Sequence, residues 1–188
     1  MSKIVVKKIA LFVFSYISLI GCANVVEHKS RVYKGENLVT PYTGFLAGWH
    51  VSVKNQKDYH SSIWQHPTEG LNDAYIVSVT LPTQNEIAYY RNIIDQPGYD
   101  SCIKFTSTTL KSVLTKEYPS ETWQTNCKKT DGNEAKILHF ILQGHDSFYH
   151  IQKIWQDNFI AQDIDNWQNR FKQIYLCDSR KESTVCPD

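Results

Sequence analysis

The sequence predicts an α+β fold: an antiparallel sheet with a C-terminal three-stranded meander, packed against two or three helices. Three observations lead there. Segments rich in Val, Ile, Thr and Tyr follow one another in runs instead of alternating regularly with helices. Turn residues separate the last of them at Asp131-Gly132 and Gly144-His145-Asp146. The chain then closes on Ile160, Ile164, Trp167, Phe171 and Ile174, spaced 4, 3, 4 and 3, which is one apolar helical stripe suited to covering a sheet face.

Taken in order, Trp49, Val51 and Val53 alternate with His50, Ser52 and Lys54, the period of a half-buried strand. The polar stretch Asn55 to Asn72, holding Tyr59, Trp64, His66 and Gly70, reads as a functional loop or a hairpin. Ala74 to Leu81 is strand-like and stops at Pro82. Thr83-Gln84-Asn85-Glu86 has the form of a capping box, with a helix to Asp95 carrying Ile87, Tyr90, Arg91 and Ile94 at helical spacing and ended by Pro97-Gly98. A short strand from Cys102 to Phe105 is followed by Leu110, Val113, Leu114 and Tyr118, whose spacing predicts a second helix closed by Pro119. Thr122 to Lys128, Ala135 to Gln143 and Ser147 to Gln156 are the three meander strands.

The amino terminus differs in kind. Lys3, Lys7 and Lys8 precede an apolar run from Ile9 to Ile20, too short to span a bilayer, which needs about 20 apolar residues, and of the length of a signal-peptide core. Its end, Leu19-Ile20-Gly21-Cys22, resembles the lipobox of bacterial lipoproteins: a Leu, two small or apolar residues and a Cys. The resemblance covers the leader alone, and the rest of the chain matches no named family by its residues. It implies cleavage before Cys22, acylation of that cysteine and attachment to a membrane by lipid, two or more chains making release negligible. With Ala23, not Asp, after the cysteine, it also implies sorting to the periplasmic face of the outer membrane. The expected organisation is a signal peptide over 1–21, a lipidated cysteine and tether over 22–44, and one α+β domain over 45–188. The segment 23–44, mixing charge with Gly, Thr and Pro, shows no sustained period.

Removing residues 1–21 takes three of the 20 basic residues and none of the 19 acidic ones, leaving a formal charge of −2. So small and mixed a charge argues against nucleic acid as partner. Aromatic residues make up 13% of the chain, five of them Trp, enough for a real core. With Cys22 assigned to lipid, Cys102, Cys127, Cys177 and Cys186 remain, and an even number in an exported protein reads as two disulfides. Of three possible pairings we favour Cys177 with Cys186, which closes a short polar loop, and Cys102 with Cys127. No CxxC or HxxxH spacing supports a metal site, and no cofactor is expected.

Candidate chemistry centres on the seven histidines. If Gly144-His145 forms a two-residue turn, His139 and His150 face each other across a hairpin, close enough to share a metal; a three-residue turn sets His150 against Phe140 instead. The two-residue register also opposes Lys136 to Lys153. His145-Asp146-Ser147 has the letters of a catalytic triad, but neighbours in sequence cannot converge in that way, so these are turn residues. Glu117, Glu121, Asp163 and Asp165 read as solvated carboxylates. Phe148, Tyr149 and Trp155 read as core, whereas Tyr59, Trp64 and His66 are candidates for binding a partner.

These features lead to the expectation of a membrane-anchored, non-catalytic protein-binding module acting on another envelope or periplasmic protein, as an assembly accessory or a toxin-neutralising immunity protein. The competing expectation is a small envelope hydrolase using His139 or His150, with or without a metal.

Overall fold

In the computed structural model, described residues are 35–41, 44–82, 85–113, 117–157, 159–181 and 186. The leader, Cys22 and most of the tether lie outside them. Among the described residues, nine strands and two α-helices, with one turn of 3-10 helix at Gly44–Leu46, make an α+β architecture.

The main sheet has seven antiparallel strands in the order β2-β3-β4-β8-β7-β6-β5. Two runs of consecutive hairpins build it. The first is β2 (His50–Gln56), β3 (Tyr59–His66) and β4 (Gly70–Thr80); the second is β5 (Lys104–Val113), β6 (Ser120–Lys128), β7 (Glu134–Gln143) and β8 (Phe148–Gln156). Helix α1 (Ile87–Ser101) carries the chain from one run to the other, and β4 and β8 close the seam between them. The three last strands of the second run are thus the interior of a larger sheet, followed by α2 (Ala161–Phe171) and β9 (Tyr175–Asp178). β1 (Glu36–Val39) pairs with β9 in a separate two-stranded sheet. Glu36 lies inside the stretch read as tether, yet it is wholly buried, and its carboxylate accepts the amides of His145 and Asp146 at 2.7 and 3.0 Å.

The two helices cover opposite faces. Side chains alternate along each strand, so Tyr75, Val77, Leu138, Phe140, Ile151 and Trp155 point one way, where Ile164, Trp167 and Phe171 of α2 meet them. Ile141, Phe148 and Trp123 point the other way, under Ile87, Tyr90 and Ile94 of α1. Phe148, Tyr149 and Trp155 are core residues. The C-terminal stripe forms as predicted over Ile164, Trp167 and Phe171, but Ile160 precedes the helix and is 69% exposed, and Ile174, though buried, follows it. The core on the α2 side also swallows a charge: Lys153 is 1% exposed, paired with Asp73, and its ammonium lies 4.6 to 5.4 Å from the ring centres of Trp49, Trp155 and Trp167.

Several local expectations are corrected. No second helix forms over the described part of its segment, Leu114 lying outside the described residues: residues 104–113 are β5, paired with β6 and bulged between Thr109 and Lys111. Its Thr106, Thr108, Thr109 and Val113 are β-branched and favour the extended state, and Leu110, counted toward an apolar helical stripe, is exposed. Helix α1 starts at Ile87 with Glu86 at the cap position and no side-chain cap bond; Thr83 is outside the described residues. It also passes through Pro97-Gly98 to Ser101. Gly98 is there for closeness, not termination, since a Cβ on it would sit 2.2 Å from the Phe105 ring. Of the two readings of the stretch 55–72, loop or hairpin, the structure has the hairpins of the sheet edge, formed by the end of β2, β3 and the start of β4. β2, expected to be half-buried, is exposed along its whole length, with Val51 and Val53 more than half exposed. α2 does not reach that edge.

The disulfides Cys102–Cys127 and Cys177–Cys186 are the two pairs favoured on sequence. The first ties the end of α1 to β6, the second holds the chain just after β9. No helix among the described residues is long and apolar enough to cross a membrane.

Candidate functional site

A dense polar cluster lies between α1 and the sheet. Arg91 and Asp95, one turn apart on α1, point down on to alternate residues of β6 and β5. The Arg91 guanidinium donates to Glu121, to Thr109 and, at 2.9 Å, to Ser107. Asp95 accepts from Ser107 at 2.6 Å and from the indole of Trp123 at 2.9 Å. Glu121 is therefore a buried partner of Arg91 and not a solvated carboxylate. Asp163 departs from that reading too, accepting the Trp155 indole N–H at 2.6 Å, whereas Glu117 pairs with Lys181.

Beneath Trp123 the cluster continues into β7 and β8. His139 stacks on the Trp123 ring at 4.6 Å and 8°. Its Nε2 meets the Thr125 hydroxyl at 3.1 Å, and its Nδ1 meets Nε2 of His150 at 3.2 Å. The two imidazoles are nearly coplanar, 9° apart with centres 5.5 Å apart, so they meet edge to edge and share one hydrogen. Neither expected register produces this contact. The β7–β8 loop has four residues, Gln143 pairing with Phe148, so His139 stands opposite Gln152 and His150 opposite Ile141. The histidines are diagonal neighbours on one face, within reach of long side chains. The same register puts Lys136 opposite Trp155 and removes the clash with Lys153.

Electrostatics follow from enclosure. Burial holds His150 down to about 4. His139 is pushed well below its ordinary value by burial first, then by His150 and Arg91. Both rings are neutral at pH 7, able to exchange a hydrogen with Thr125 and each other but weak as bases. Among the described residues no three His, Cys, Asp or Glu side chains are grouped to hold a metal. Two small cavities flank Asp95. One, of about 310 Å³, exposes Arg91, Ser107 and Glu121; the other, of about 260 Å³, is mostly apolar and reaches Thr125 and His139 past Ile94, Pro97 and Phe105.

No protein-family description matches the chain, and no curated protein matches it. Among solved structures it is similar to the crystal structure of a protein of unknown function from Pseudomonas aeruginosa, with 9% identity over 74% of this chain and 99% of that one and a TM-score of 0.41. So slight a likeness says nothing about what this chain does.

The partner-binding candidates are on a strand, not a loop. Trp64 faces the α2 core, 5.3 Å from the Tyr75 ring. Tyr59 and His66 mark the two ends of β3 beside β2, Tyr59 with Lys54 over its ring and His66 edge-on to Trp49. His145, Asp146 and Ser147 form the β7–β8 loop, tied by Gly144 N–H to Ser147 O at 2.9 Å and by Arg180 to Asp146. Sequence reasoning missed the Arg91–Glu121–Asp95 network. Its signal was Arg91 falling on the apolar stripe of its helix, a place a solvated arginine would avoid.

Proposed function

We propose that this chain is a lipid-anchored envelope protein whose folded domain binds another protein without catalysing a reaction, as an assembly accessory or an immunity protein. One observation carries the binding half of that reading. β2 ends the main sheet as a seven-residue strand in unbroken register with β3, with every side chain exposed and no described strand on its outer side. Its free amide and carbonyl row can pair with an extended segment of a partner, while Val51 and Val53, at 55% and 58% exposure, offer apolar contacts. The other edge, β5, is bulged, which discourages such pairing. Tyr59 and His66 flank the β2 edge. The leader and its lipobox supply the anchoring half, and two disulfides suit an oxidising compartment.

The test is crosslinking in intact envelopes with a photoreactive residue at position 53, compared with Val53→Asp in the same place in capture experiments. Val53 supports no core, so the aspartate variant should fold like wild type and lose the crosslinked partner. An unchanged partner profile removes β2 from the reading.

A second reading has one observation of its own. Thr125–His139–His150 has the connectivity of nucleophile, base and orienting group. Against it, His139 is a poor base, and Thr125 sits mid-strand between β5 and β7, where backbone amides are engaged in the sheet. Hydrolysis of activated esters that disappears in Thr125→Val would favour this reading.

A further inference from the structure

On the α2 face of the sheet, beyond the reach of α2 itself, the ends of β5, β6 and β7 form an open groove of about 410 Å³. Two adjacent rows of cross-strand neighbours make its floor. Lys104 lies opposite Lys128, which lies opposite Glu134; two residues further along the strands, Thr106 lies opposite Asn126, which lies opposite Lys136. Residues two apart share a face, so three lysines crowd one patch. Phe159 forms a wall, with the Lys136 ammonium 4.6 Å from its ring centre.

This arrangement works against the sheet as it stands. Like charges directly opposite one another on neighbouring strands are destabilising, and Lys104 opposes Lys128 with Lys136 in the next row. Glu134 answers one of them, Lys128, at 3.2 Å. Lys104 makes no ion pair among the described residues, and Lys136 is satisfied only by a ring face. The groove lining therefore carries two uncompensated positive charges beside the neutral groups of Thr106 and Asn126.

We propose that this groove binds a phosphate monoester, its phosphoryl group held between Lys104, Lys128 and Lys136 and its esterified group against Phe159. The charge decides the class. A phosphomonoester carries about −1.5 to −2 near pH 7, which matches the groove, whereas a single carboxylate leaves one lysine unanswered. The apolar wall at one side adds room for a ring or acyl substituent. The site is separate from the histidine cluster, being on the opposite face of the sheet, and does not depend on the β2 edge.

The test is titration of the purified full chain, followed by backbone amide resonances, with inorganic phosphate, phenyl phosphate and short-chain dihexanoyl phosphatidate, against acetate at matched ionic strength. Saturable shifts confined to Thr106, Asn126, Lys128 and Lys136 are expected with the phosphates and not with acetate. Lys104→Ala and Lys136→Ala should each weaken binding by about tenfold, the scale of one charge-assisted hydrogen bond. Glu134→Gln, which removes the competing carboxylate, should tighten it, an outcome no folding defect can imitate. Phe159→Ala should weaken phenyl phosphate and leave inorganic phosphate unchanged. Tighter binding of phosphatidate than of phenyl phosphate identifies a lipid headgroup as the source; the reverse identifies a soluble ester. Absence of saturable shifts at these residues, or equal affinity in wild type and both lysine variants, overturns the proposal.

Discussion

His139 and His150 are hydrogen-bonded to each other, Nδ1 to Nε2 at 3.2 Å, although neither stands opposite the other in the strand register. The contact needs at least one ring neutral, because two imidazolium rings would each present a hydrogen to the other.

Acid should therefore loosen the fold in a defined window. Burial lowers His150 from 6.5 to about 4 and His139 in the same direction. The unfolded chain thus takes up protons that the folded one refuses. The stabilisation is complete above 6.5 and is lost as pH falls from there through about 4. At 1.36 kcal/mol per unit, His150 alone accounts for at most about 3 kcal/mol. Urea unfolding followed from pH 7 to pH 4 should show this decline, and His150→Gln should flatten it. Parallel declines in both proteins would assign the acid sensitivity elsewhere.

Lys153 and Asp73 should respond unequally to mutation. Breaking a buried ion pair from one side leaves a charge stranded, at about 3–5 kcal/mol, while replacing the buried charge with a well-fitting apolar chain is often neutral. Asp73→Ala strands Lys153 among three tryptophans; Lys153→Met keeps an apolar stem there and leaves Asp73, one-quarter exposed, open to water. Thermal unfolding should rank Asp73→Ala well below Lys153→Met. The opposite ranking would mean that the ammonium's contacts with the rings outweigh its burial.

The two disulfides should differ in worth. Cys102–Cys127 closes a separation of 25 residues and Cys177–Cys186 one of 9. Loop-closure entropy then gives roughly 3.5 against 2.6 kcal/mol, strain aside. Double alanine variants of each pair, compared by denaturant midpoint, check the order, and the unreduced mass should be four hydrogens lighter than the reduced one.

Lipidation has a direct assay. Cys22→Ser should give an uncleaved precursor that takes up no palmitate analogue, since an alcohol cannot form the thioether. Equal label in both proteins would refute anchoring at Cys22.

Much of the fold was legible because single faces are buried. The stripe Ile164-Trp167-Phe171 and the runs of β4, β7 and β8 record the core they pack against. The errors fall where no face is covered. β3 read as a loop or a hairpin because its burial follows no period of two, β2 read as half-buried although both its faces are exposed, and the second half of β5 read as a helix because exposed Leu110 fell by chance at helical spacing from Val113. The histidine contact was half legible: the sequence put both residues on paired strands, but the four-residue loop that sets their diagonal relation looks the same, letter by letter, as a shorter one. Asp95 and Glu121 were hidden for another reason. Only Arg91, on the apolar stripe of its helix, marked the buried cluster; Glu121 and Asp95 are buried by partners distant in sequence and carry no local sign of it.

The seam between β4 and β8 joins residues far apart in sequence, from Thr80 with Phe148 to Asp73 with Trp155. Such pairing is slow to form, because chain closure must precede any gain from it. Until α1 and the second run of strands are in place, β4 and β8 are both open edges, and β8 bears Tyr149, Ile151 and Trp155 that will later be core. The folding chain therefore passes through an interval in which its stickiest strand is unguarded, and its yield should fall steeply with chain concentration during refolding.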